Sequence, residues 1–212
     1  MKYKFEIKNV VCVSVLAIAL GACQSTKPAG QSGFLRDYTL LKANPQIEGQ
    51  LRYEAPSASL KSYTKFMIDP VVVHFAPKAE GVAINPADLK ALTDYFHAAA
   101  TKKLSADFQV VNQAGPGVLR LRAAITDISK TIPLLNIHPG TKLSGAGLGG
   151  ASMEAEALDS ISNKRVVAVV ETMEGERMAV APGLTEFGHA KQVMDIWVDR
   201  FVANLKKLHG MS

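Results

Sequence analysis

Apolar side chains recur every three or four residues in two long stretches of the chain, and these predict helices. In the first, Leu89, Leu92, Phe96, Ala100 and Leu104 form one stripe while Lys90, Asp94 and Lys102 point elsewhere, so the helix lies on a sheet. Its start is marked by Asn85 as N-cap, Pro86 at the first helical position and Asp88 in the first turn, where the helix dipole favours a negative charge. The second stretch, about Phe187 to Leu208, carries Phe187, Ala190, Met194, Trp197, Phe201, Leu205 and Leu208 on one side. Lys206 and Lys207 suit its C-terminal end. Trp197 and Met194 fit this stripe as core residues better than as a ligand cage.

Other segments carry strand patterns. Phe66 to Phe75 is rich in β-formers but contains Pro70, which predicts an edge strand or one broken by a bulge. Phe108 to Val111 is a short strand, and Ala114-Gly115-Pro116-Gly117 turns the chain into the clearest one, Val118 to Ile128. There Leu119, Leu121, Ala123 and Ile125 alternate with Arg120, Arg122, Ala124 and Thr126. Ser152 to Ile161 complements it, with Met153, Ala155 and Ala157 on one side and Glu154 and Glu156 on the other. If the two are neighbours, Arg120 and Arg122 face Glu154 and Glu156 across the ladder. Arg165 to Met173 is apolar on both faces and reads as a covered strand. The expected fold is a single α+β domain. It has a mainly antiparallel sheet of about five strands in the order β-α-β-β-β-β-α, with both helices packed on one face.

The N-terminal segment departs from these patterns. Lys2, Lys4 and Lys8, then the apolar run Val10 to Leu20, then small residues follow the order of a secretory signal. As a helix that run spans only about 16 Å, about half of a hydrocarbon core. Leu20-Gly21-Ala22-Cys23 at its end resembles a bacterial lipobox, which implies cleavage between Ala22 and Cys23 and lipid on the Cys23 thiol and its new amino group. The alternative is a secreted chain with a chance cysteine. Gln24, in place of an Asp, points to the outer membrane under the common enterobacterial rule. The expected organisation is a signal peptide over 1–22 and a lipidated cysteine with a Gly/Ser/Pro-rich tether over 23–33. A wrapping arm follows over 34–65, and then the domain over 66–212.

Charge and cysteine count narrow the function classes. The signal takes a net +2 of the formal +5 with it, leaving +3 spread along the chain without a basic block, so nucleic acid is not expected as a partner. Of the two cysteines, Cys12 leaves with the signal and Cys23 takes lipid, so the folded part has none for a disulfide.

The candidate chemistry is sparse. His74 and His97 have no second ligand at metal spacing, and no cofactor is expected. Gly145, Gly147 and Gly150 spell G-x-G-x-x-G, but the dinucleotide version needs a strand before it and a helix starting on it. Here a strand follows. Glu154 and Glu156 could serve acid and base catalysis only if their environments differ, and on an exposed sheet face both would stay ionised. Two stretches are candidate partner surfaces: Phe34, Tyr38, Arg52 and Tyr53 in the arm, and Ile132, Leu134, Leu135 and Ile137 in a connection where polar residues are expected. Packing of the arm against the domain, and a flap closing one end of the core, are the plainer accounts.

Several short motifs occur in order. They include the lipobox, Gly33-Phe34-Leu35 with Asp37-Tyr38, Leu51-Arg52-Tyr53, Ile68-Asp69-Pro70-Val71, Asp94-Tyr95-Phe96, Gly115 to Arg122, Glu154 to Ser160 and the helix of Trp197. Together they resemble an uncharacterised family of bacterial lipoproteins catalogued as a domain of unknown function, over nearly all of the mature chain. The Thr131 to Gly150 connection is shorter here than is usual in that family. The resemblance implies an address and a fold but no activity. The expectation is an outer-membrane lipoprotein facing the periplasm, held by lipidated Cys23. It would act as a non-enzymatic binding or scaffolding module for an envelope protein. The competing classes are a hydrolase of cell-wall or lipid material and an accessory subunit of a transport or assembly complex.

Overall fold

A computed structural model describes residues 30–55, 60–137, 146–176 and 181–211. In chain order the elements begin with strands β1 (Lys42–Ala43), β2 (Gln50–Glu54), β3 (Lys65–Ile68) and β4 (Val72–Val73), then helix α1 (Pro86–Asp107). They continue with β5 (Gln109–Val110), β6 (Val118–Ser129), the short helix α2 (Pro133–Ile137), β7 (Gly150–Asp159), β8 (Arg165–Glu174) and helix α3 (Gly188–His209).

The strands form one mixed sheet of eight, in the order β1-β2-β8-β7-β6-β3-β5, with β4 on the same edge of β6 as β3. Pairing is antiparallel from β1 through to β6, and parallel where β6 meets β3 and β4 and where β3 meets β5. The expectation of about five strands is corrected to eight, and the mainly antiparallel pairing is joined by parallel pairs at one edge. β1 and β2 fall in the segment expected to be an irregular arm, because five residues without a long alternation give little local signal; β2 forms by pairing with β8 along Leu51↔Val170 and Tyr53↔Ala168. Alternation reports which face is buried but not which way a neighbour runs, so the parallel pairs, joined across α1, were not legible. Pro70 divides the Phe66 to Phe75 run into β3 and β4, since it cannot donate to the ladder.

Helices α1 and α3 pack against each other and against the same face of the sheet. Asn85 caps α1 by accepting the Asp88 N–H at 2.9 Å. Gly210, at φ +69°, closes α3 with its N–H on the last-turn carbonyls. Phe66, Leu92, Phe96, Leu119, Ile125 and Trp197 lie in the shared core, with the Phe96 and Trp197 rings 5.9 Å apart. The expected stripe of α3 is broader than three-four spacing showed, because Val193, Val198 and Val202 are also buried, while Leu208 is exposed.

The other face of the sheet is also covered. Leu35, Ala168 and Val170 form a second small core, with Phe34, Tyr38, Leu41, Leu51 and Tyr53 packed around it. Burying Leu35 completely contributes about 2 kcal/mol.

Candidate functional site

Successive side chains of β7 point to opposite faces, so Met153 and Ala157 enter the helical core while Glu154 and Glu156 turn to the side of the arm. There Glu154 is completely buried and Glu156 nearly so. Glu154 accepts three hydrogen bonds, from the end of the expected tether and the start of the arm: Ser32 N–H at 2.7 Å, Leu35 N–H at 3.2 Å and Tyr38 Oη–H at 2.6 Å. The arm curls to deliver them, with Gly33 at φ +98°, a conformation open to glycine, and Arg36 at φ +64°. Burial and the bond to Glu154 push the Tyr38 phenol up, so it stays protonated as a donor, and its oxygen accepts the Gly33 N–H at 2.7 Å.

Glu156 is held by cations. Arg122 Nη1 donates at 2.5 Å and Arg165 Nε at 3.0 Å, and the rest of the Arg165 fork donates to the carbonyls of Leu35 and Asp37. Next to them Arg120 grips Asp69 with Nε at 2.9 Å and Nη2 at 2.7 Å, and that bond raises the Arg120 pKa further. The Phe34 ring lies 5.0 Å from the Arg122 guanidinium carbon. Asp69, Glu154 and Glu156 balance Arg120, Arg122 and Arg165, so the face carries no formal excess. Only one expected cross-strand pair forms, Arg122 with Glu156. Arg120 stands opposite Leu158, and Glu154 opposite Ala124.

The expected exposed face is therefore a covered one, because the arm side supplies the donors that make burial of Glu154 tolerable, and Arg122 and Arg165 of the sheet supply those of Glu156. Acid or base work needs a carboxylate oxygen that a substrate can reach. Here both acids have their oxygens on the chain itself. A shallow depression of about 250 Å³ beside them is lined by Phe34, Asp69, Pro70, Val72, Arg122 and Ala123.

Of the candidate partner residues, Phe34, Tyr38 and Tyr53 are half-buried against the second core, and Arg52 pairs with Glu54 at 2.8 Å. Ile132 and Leu134 are exposed, at 50% and 78%, whereas Leu135 is half-buried and packs near Gly147. Ala22, Cys23 and the side chain of Ile137 lie outside the described residues. The strand expected after the glycine run begins at Gly150, and Gly145 is outside the described residues. His74 is exposed near Phe34, and His97 Nδ1 lies 3.3 Å from the Asp69 carbonyl.

Sequence reasoning did not assign roles to Asp69, Arg165 and Glu171. Glu171, 1% exposed on the helical side, binds Arg200 of α3 and accepts from Gln50 Nε2 at 2.6 Å, joining β8, β2 and α3. Its signal was available: after Val167 and Val169 it takes the next position of the helix-facing series, where an acid needs a partner.

Residues 30–201 match the family described as Protein of unknown function (DUF3313), a span that starts just before the arm's contacts with Glu154 and ends within α3. The chain belongs to the DUF3313 family. It is 28% identical over 197 residues to the uncharacterised lipoprotein YdcL of Escherichia coli K12, covering 84% of this chain and 87% of that protein, and equally to YdcL of E. coli O157:H7. The homology to an uncharacterised lipoprotein agrees with the family indicated by the motifs. Among solved structures, a PelC dodecamer from Paraburkholderia phytofirmans overlaps this DUF3313 chain with TM-score 0.37 at 12% identity, over 69% of this chain and 96% of that one. A putative neuraminyllactose-binding hemagglutinin homologue from Helicobacter pylori overlaps with TM-score 0.36 at 13% identity, over 74% and 90%.

Proposed function

We propose that the chain is a lipoprotein of the bacterial envelope, held at the outer membrane by lipid on Cys23 and facing the periplasm. In this reading it is a non-enzymatic scaffold that holds its folded body at a set distance from the bilayer for an envelope protein to bind. The observation that carries this reading is the capture of Ser32, Leu35 and Tyr38 by the buried Glu154. Within nine residues of the lipid-bearing cysteine the chain is fastened to a buried side chain of the sheet, so pull or position at the anchor passes into the fold. The lipobox and the homology to an uncharacterised lipoprotein support the address. Engagement of Glu154 and Glu156 by the arm and by arginines favours a structural over a hydrolytic role for these acids.

Replacing Cys23→Ser in cells should abolish incorporation of labelled palmitate and move the protein from the outer-membrane fraction to the soluble one, folded as before. Retention of the variant in the membrane at the wild-type level would sink the anchor. Cross-linking in intact cells with mass spectrometry should recover envelope proteins. Turnover of cell-wall or lipid material by the purified protein, lost in Glu156→Gln with the fold intact, would favour the hydrolase instead.

A further inference from the structure

The end of the sheet from which the arm departs is also the end with a cluster of exposed apolar side chains. Gly30 lies against Ala76, close enough that a Cβ there would stand 3.3 Å from the Ala76 Cβ, and the Ala76 N–H is bonded to the Thr126 carbonyl of β6 at 2.9 Å. About 10 Å further along that strand β6 ends, and α2 follows. Ile132 and Leu134 are 50% and 78% exposed there, and α2 touches the turn Pro182–Leu184, whose Leu184 is 54% exposed. Val82, 66% exposed, stands on the turn Glu80–Ala83, which is fastened to the last part of the same strand by the Gly81 N–H on Asp127 at 3.0 Å.

We propose that this end of the molecule, through Val82, Ile132, Leu134 and Leu184, rests in the headgroup layer of the bilayer that holds the lipid on Cys23. The proposal depends on the anchor reading above. From Cys23 to Gly30 the chain can span at most about 25 Å. Gly30 and the strand end beside it are therefore kept at the membrane surface, while the opposite end, with Ile161 in the turn between β7 and β8, is kept away. The four side chains come from three separate segments, and dipping their tips into a fluid interface needs no shape-matched groove. Lys78, exposed two residues after Ala76, adds a cation at this end that anionic headgroups would attract, while Lys130 is paired with Glu186 at 2.6 Å. A few such contacts would not bind a free protein, but a tethered one meets the surface at high effective concentration.

The test uses the full processed, lipidated protein in vesicles of phosphatidylethanolamine and phosphatidylglycerol with brominated acyl chains. Because Cys12 leaves with the signal and the Cys23 thiol is blocked, each introduced cysteine is the sole thiol to label. Fluorescent probes at Leu134→Cys and Leu184→Cys should be quenched at least threefold more strongly than a probe at Ile161→Cys. Flotation with the vesicles and equal or absent quenching at the three positions would overturn the docking alone. Failure to float would overturn the anchor and the docking with it. Probes shielded in cells but open in vesicles would mean that a protein covers this end, and would also overturn the proposal.

Discussion

At the scale of single residues, Glu154 is the point on which the covered face turns. A buried carboxylate with three donors is tolerable, whereas an amide in its place offers one acceptor oxygen and turns an NH2 group toward a donor. Glu154→Gln should cost about 2 kcal/mol in urea unfolding and should open residues 32–38 to protease, while Glu54→Gln, on the exposed end of β2, should do neither. Tyr95 supplies a second residue test. Burial, and its bond to Asp195 of α3 at 2.7 Å, push its pKa up to about 12. A raised phenol favours the folded state fully at pH below the ordinary tyrosine pKa, and that contribution is lost as pH rises through the folded value. Tyr38 and Tyr63 are raised as well, so absorbance titration should show several late tyrosines, of which the component near 12 disappears in Tyr95→Phe, and stability should decline between pH 10 and about 12. Asp159 has the opposite sign. The Ser162 backbone N–H holds its pKa below the ordinary value, so its contribution persists above that value and is lost on acidification through the lower one.

Among the elements, the arm behaves as a structural layer. Leu35 is as buried as any core residue of the helical side, although it lies on no helix or strand. Leu35→Ala should cost about 3 kcal/mol, from lost transfer energy and the cavity left over Ala168 and Val170. Hydrogen exchange should then rise in 32–38 and in β2 before it rises in β6 or β7, because β2 depends on β8 and on the same small core. Equal acceleration across all strands would argue against a separate second core. On the opposite face, Glu171 ties β2 and β8 to α3, so β2, which local pattern did not mark, is held from both sides.

For the molecule as a whole, one sheet carries two coverings of unequal size, helices on one face and an arm on the other. A variant lacking residues 24–38 should lose about 3 to 4 kcal/mol and melt roughly 10 °C lower, because Leu35 leaves the second core while Glu154 and Arg165 lose their partners in this segment together. A variant with unchanged melting would show that the arm merely lies on the surface. Much of this architecture was written in local pattern. The stripes of α1 and α3, the alternation of β6 and β7 and the Arg122 to Glu156 rung follow from periods of 3.6 and 2, which adjacent residues set by themselves. The expected signal and lipobox are likewise linear patterns, read by order alone. The tertiary structure alone decided the parallel edge of β3 and β4, the addition of β1 and β2, and the burial of Glu154 beneath a segment 116 to 122 residues away in sequence. These depend on which distant groups meet. A residue's own neighbours fix the face it points to, but the donors that make a buried charge stable come from wherever the chain returns.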